Sequence, residues 1–169
     1  MKQVEIERKY IIAMPSVDSL SACPDYTKTE IEQIYLSGDA RVTHRIRKRC
    51  YPDRTVYTET KKIRLDKMSA DEREREITGE EYQCLKKDMK PDTRPIKKTR
   101  HSFTYGDITA EIDIYPEWER CAIMETELKS REENPALPPF IRILREVTGE
   151  WEYSNAGMAH AFPSEDAYL

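Results

Sequence analysis

Glycine and histidine are scarce in this chain: among 169 residues there are five Gly, three His, three Phe and four Cys. The five glycines form no Gly-rich loop of the kind whose backbone N–H groups cradle a nucleotide's phosphates. Cys23, Cys50, Cys84 and Cys121 stand singly with no C-x-x-C, and the histidines are His44, His101 and His160, a pattern that argues against a structural zinc site. No basic stretch ahead of an apolar run opens the sequence, and no run approaches the roughly 18 apolar residues that span a bilayer. The expectation is a cytoplasmic protein with reduced thiols and no membrane partner. Repeats, low-complexity tracts and linkers are also missing, and the Pro-rich NPALPP at 134–139 is too short to separate domains.

What is abundant is charge. The chain is 38% hydrophobic and 36% charged, enough apolar content for one core, so residues 1–169 are read as a single domain. Its 28 Lys+Arg against 32 Asp+Glu leave a net charge of −4, without the basic surface expected of a nucleic-acid binder.

Strand-like stretches bounded by turn residues fall at 3–12, 29–36, 41–50, 55–64, 71–78, 95–105, 108–116 and 121–129. Helical patterns fall at PSVDSLSA from Pro15, TGEEYQCLKKDM from Thr78 and PPFIRILREVTG from Pro138, where Phe140, Ile141, Leu144 and Val147 recur at helical spacing before Gly149. YSNAGMAHA adds a final turn or two, with Ser154 or Asn155 as its cap. The fold class is therefore α+β and mainly β, with tight connections that suggest an antiparallel barrel or sandwich.

The charges keep the period of a strand. Glu5, Glu7 and Lys9 alternate, as do Arg45 and Arg47, Glu72, Glu74 and Glu76, Lys98 and Arg100, Glu111 and Asp113, and Glu125, Glu127 and Lys129. The opposite faces are often apolar, as with Ile108, Ala110, Ile112 and Ile114. A merely solvated face would intersperse signs and use neutral polar residues, whereas here individual strands are nearly pure acid or base. An eight-stranded antiparallel barrel with a charged lumen, its apolar outside covered by the helices, accounts for that sorting. Burying so many charges is costly unless they pair or bind a ligand. Polyphosphate oxygens suit the Arg and Lys, and Mg²⁺ or Mn²⁺ suits the carboxylates.

Glu5-Ile6-Glu7-Arg8-Lys9, Arg45-Ile46-Arg47, Lys98-Thr99-Arg100, Glu111-Ile112-Asp113 and Glu125-Thr126-Glu127, in that order, resemble the CYTH family, the triphosphate tunnel metalloenzymes. REVTG at 145–149 and YSNAGMA at 153–159 look like the ending of its short bacterial members, so the resemblance runs from Val4 to about Ala159. It implies an eight-stranded tunnel that binds a triphosphate and requires a divalent metal. It further implies Glu5, Glu7, Glu125 and Glu127 as main metal ligands, and Glu74, Glu76, Glu111 or Asp113 as completing the metal and water sites. The phosphate clamp it implies is Lys9, Arg45, Arg47, Lys98 and Arg100. The family's Thr-x-Lys falls on YTETKKIR, where Lys61 and Lys62 both qualify; parity with Thr58 and Thr60 favours Lys62.

The function implied first is hydrolysis of inorganic triphosphate to pyrophosphate and phosphate. The alternatives are a class IV adenylate cyclase, a thiamine or nucleoside triphosphatase and, in a different class, a non-catalytic polyphosphate-binding module. The acidic pairs argue against the last, because anion binding alone does not need them. The partner is a small molecule carrying a triphosphate; a homodimer is left open. His44 and His101 fall on the apolar side by parity, and Trp118 and Trp151 are read as packing residues.

Overall fold

The computed structural model describes residues 4–65 and 69–168, without the side chains of residues 4, 5, 64, 69 and 70. The eight expected strands are present as β1 (Val4–Ala13), β2 (Thr27–Tyr35), β3 (Thr43–Cys50), β4 (Thr55–Arg64), β5 (Ser69–Ile77), β6 (Ile96–Tyr105), β7 (Ile108–Ile114) and β8 (Cys121–Glu127). A ninth, β9 (Ile143–Glu146), lies where the sequence predicts the third helix. All neighbours are antiparallel in the order β5-β4-β3-β2-β6-β7-β8-β1-β9, and β5 also pairs with β1. That last pairing sets Val4, Glu5 and Ile6 opposite Asp71, Ala70 and Ser69 and brings the β5 end of the sheet back onto β1.

The β1 edge explains the ninth strand. Beyond Ile6, β5 no longer satisfies the backbone groups of β1 on that side, and unpaired strand groups away from water are costly. Residues Ile143–Glu146 supply partners for Tyr10, Ile11 and Ile12, and Val147 N–H donates to Lys9 O at 2.9 Å. The apolar residues of this segment also serve different clusters: Ile141 packs beside Tyr10 and Ile12, while Val147 joins Ile11. One helix face would not reach both.

Two of the expected helices cover the apolar outer face of the sheet. α1 (Val17–Ser21) inserts Leu20 against Tyr10, Ile12, Phe103, Ile112 and Met124. α2 (Gly79–Leu85) begins at a capping box between Thr78 and Glu81 and inserts Tyr82 against Ile34, Ile46 and Ile77.

The last helix departs from the expectation that all helices pack outside. α3 (Asn155–His160), whose cap Ser154 Oγ accepts from Gly157 N–H at 3.0 Å, follows a 3-10 turn at Trp151–Tyr153. Its Met158 and Ala159, with Tyr153 of that turn, pack against Ile11, Tyr35, Ile96, Tyr115 and Ile123. These five residues lie in step with Lys9, Gln33, Lys98, Asp113 and Glu125, Tyr115 just past the end of β7, so the charged inner face turns apolar toward one end. There α3 has a surface to bury.

Candidate active site

A cavity of about 950 Å³ opens on the charged inner face. Lys9, Arg45, Arg47, Arg49, Lys62 and Arg100 line it together with Glu7, Glu72, Glu74, Glu111, Glu125 and Glu127. Period two puts them there: each lies in step with its strand-mates, and Lys61, one residue off, is exposed outside. Glu5 belongs to the same alternation, but its side chain lies outside the described residues.

Strand order converts the sorting of signs into pairs. Basic β6 lies beside acidic β7, where Arg100 faces Asp113; β4 lies beside acidic β5, where Lys62 faces Glu72. Arg100 binds both oxygens of Asp113, at 2.7 and 2.8 Å, and also Glu111 and Glu125. Lys9 Nζ lies 2.7 Å from Glu125 Oε1, Arg45 2.9 Å from Glu72, and Arg49 3.2 Å from Glu74. Thr60 Oγ1 donates to Glu74 at 2.9 Å.

Like charges also meet. Glu7 is the direct cross-strand partner of Glu127, and Glu111 of Glu125. Directly opposed carboxylates on one face repel and are destabilising without a cation. Burial raises the Glu111 carboxyl, Arg100 opposes the rise, and Glu125 and Asp113 add to it. Burial would likewise raise Glu125, yet Lys9 and Arg100 hold it well below the usual carboxylate range. On the basic side, burial and then Arg45, Arg100 and Arg49 lower Arg47 to about 9. A guanidinium so affected by its neighbours marks a place for an anion.

Three predicted site residues do not reach the cavity wall. Glu76 is exposed, at the outer end of β5. Lys98 and Asp113, with 0% and 1% side-chain exposure, form a sealed pair at 2.5 Å behind the wall. Burial, together with the Arg100 charge, lowers Lys98 to about 7 against the pull of Asp113 and Glu125. His44 pairs with Glu59 outside, and His101 is buried against Tyr26, both away from the cavity.

Sequence reasoning missed Arg49, although its parity with Arg45 and Arg47 was the available signal. It also missed Trp151, Ser154 and Asn155, which bring the chain's far end to the cavity wall. Trp151, predicted to pack, is 59% exposed there.

Solved structures of this architecture exist. The inorganic triphosphatase NE1496 is similar over 95% of this chain and 97% of its own, at 24% identity and a TM-score of 0.60. The chain has the CYTH, or triphosphate tunnel, fold. PH1819 from Pyrococcus horikoshii OT3 is similar over 76% of this chain and 80% of its own, at 22% identity and a TM-score of 0.55. HpAC1 from Hippeastrum, a protein with a dominant triphosphatase activity, aligns over 75% of this chain and 81% of its own, at 14% identity and a TM-score of 0.53. No family model and no curated protein matches the sequence.

As a metal site, the CYTH-fold wall offers the carboxylate oxygens of Glu7, Glu111, Glu125 and Glu127, the donors that hard divalent cations prefer. The opposed pairs Glu7–Glu127 and Glu111–Glu125 lie on three adjacent strands, and Lys9 and Arg100 already offset part of the charge of the second pair. Among the described residues no three carboxylates are already gathered around one point, since Lys9 and Arg100 occupy Glu125. The donor set fits Mg²⁺ or Mn²⁺ in its chemistry.

Proposed function

We propose that the chain is a metal-dependent hydrolase that cleaves inorganic triphosphate to pyrophosphate and phosphate inside a closed eight-strand tunnel, β9 being an appendage. The observation that carries this reading is one cavity in which a cluster of guanidinium and ammonium groups faces two opposed carboxylate pairs. Anion binding alone would use the bases; the acids call for a cation. The likeness to the inorganic triphosphatase NE1496 supports the same substrate class.

In this reading Arg45, Arg47, Arg49 and Lys62 grip the phosphate chain, and its negative charge relieves their mutual repulsion. Lys9 and Arg100 hold Glu125 in place from two sides. Glu111, its carboxyl raised by burial, accepts a proton from the attacking water. Lys98 and Asp113 act as positioning residues that fix Arg100. Glu7, Glu125 and Glu127, with Glu5, would hold a divalent metal, which when bound offsets charge on the phosphoryl oxygens. Four free thiols suit a reducing cytoplasm.

A second reading, a class IV adenylate cyclase releasing cyclic AMP and pyrophosphate from ATP, draws on the exposed ring of Trp151, on which a base could stack. Product analysis with inorganic triphosphate, ATP and thiamine triphosphate, each with Mg²⁺ or Mn²⁺, separates the two. Phosphate release from inorganic triphosphate that stops in excess EDTA is the expected result. Cyclic AMP from ATP would favour the second reading, and turnover in excess chelator would contradict both.

A further inference from the structure

Asn155, the first residue of α3, lines the cavity, and its side-chain oxygen accepts from Tyr115 Oη at 2.8 Å and from Lys98 Nζ at 3.3 Å. Lys98 Nζ, which also donates to Asp113 at 2.5 Å, meets Asn155 as a donor, so the atom facing Lys98 is the carbonyl oxygen, and the orientation of the amide follows. Burial, with Asp113 and Glu125 adding, pushes Tyr115 well above its usual value, so its hydroxyl stays protonated and able to donate. The amide nitrogen is left with two N–H donors. It has no partner among the described residues and is open to solvent rather than sealed in the core.

We propose that Asn155 is a substrate-binding residue whose Nδ2 donates to a phosphoryl oxygen of the bound triphosphate. The inference rests on the reading of the cavity as a triphosphate site and adds to it a neutral donor from outside the barrel strands. Arg45, Arg47 and Arg49 already crowd one another, and a further cation would add to that repulsion. An amide supplies hydrogen bonds without it. Because Lys98 and Tyr115 hold its oxygen, the donor is oriented before the ligand arrives, and none of its rotational freedom is lost on binding.

The test compares the wild type with Asn155→Asp and Asn155→Ala. The Asp variant keeps an oxygen for Lys98 and Tyr115 but turns a second, anionic oxygen toward the ligand; the Ala variant removes donor and acceptor together. Binding of inorganic triphosphate is measured by calorimetry in EDTA, KM and kcat with Mg²⁺, and Tm for each protein. The Asp variant is expected to bind at least about tenfold more weakly and to raise KM in proportion, as loss of a hydrogen bond to a charged group predicts. Its Tm should stay near the wild-type value. The Ala variant should also weaken binding, and it decides the matter alone if the Asp variant does not fold. Wild-type affinity in the variants that fold would overturn the role of Asn155 while leaving the triphosphate site standing. A wild type that neither binds nor cleaves inorganic triphosphate would remove the site's proposed function, and the role of Asn155 with it.

Discussion

Lys9 and Glu125 face each other across β1 and β8, with Nζ 2.7 Å from Oε1 and both side chains less than 15% exposed. Burial would lower Lys9, but Glu125 and Glu7 more than reverse this, and its ammonium is held above the ordinary value. The pair thus places a charged lysine and a charged carboxylate on the cavity wall at neutral pH, where each keeps the other ionised.

Glu125→Gln preserves shape and removes that charge. The amide can still accept from Lys9 but turns N–H donors toward Arg100. With a ligand of the proposed metal lost, kcat for inorganic triphosphate should fall by about 100-fold. Tm should fall by only about 5 °C. Near-full activity at saturating Mg²⁺ would take Glu125 out of the metal site.

Lys62 and Lys61 are adjacent in sequence and opposite in direction. Lys62 lines the cavity and pairs with Glu72 at 3.2 Å, while Lys61 is exposed. Lys62→Ala should lower kcat/KM at least about tenfold, the loss expected for a charge-assisted contact to phosphate. Lys61→Ala should leave kcat/KM and Tm unchanged. The reverse ranking would place the phosphate on the other face of β4.

Stability should fall in acid. Against burial, Lys9 and Arg100 depress Glu125, and Arg100 and Lys98 depress Asp113. Below their unfolded values the unfolded chain takes up these protons first, so it binds more protons than the folded state. The stability they contribute is therefore fully present above about pH 4.5 and is lost as pH falls through the lower folded values. Denaturant midpoints at pH 7, 5 and 3 should show the drop between the last two, and Glu125→Gln should flatten it. A midpoint constant to pH 3 would mean that neither carboxylate is held ionised by its partners.

Gly157 sits where α3 meets the turn before it. A Cβ there would collide with the backbone carbonyl of Trp151, which is not a flexible side-chain end able to give way. Gly157→Ala should therefore displace α3 from the turn, lower Tm by several degrees and raise KM through the shift of Asn155. An unchanged Tm would show that the close approach is not required.

The strands could be read from the chain because their periodicity is local. A period of two assigns every other side chain to one face whatever the rest of the molecule does, so Lys62 against Lys61 and the alignment of Arg45 with Arg47 were visible in one dimension. Thr78, and Ser154 or Asn155, announced helix starts for the same reason, since capping bonds span only three residues. Tertiary structure alone decided what depends on neighbours remote in sequence. The open edge of β1 drew Ile143–Glu146 out of their helical pattern. The apolar end of the inner face drew α3 inward. Lys98 and Asp113, in step with residues of the cavity wall, were sealed behind it because Asn155 and Arg100 complete their hydrogen bonds there. Alternation along a strand tells which way a side chain points; how deep it lies depends on what packs over it.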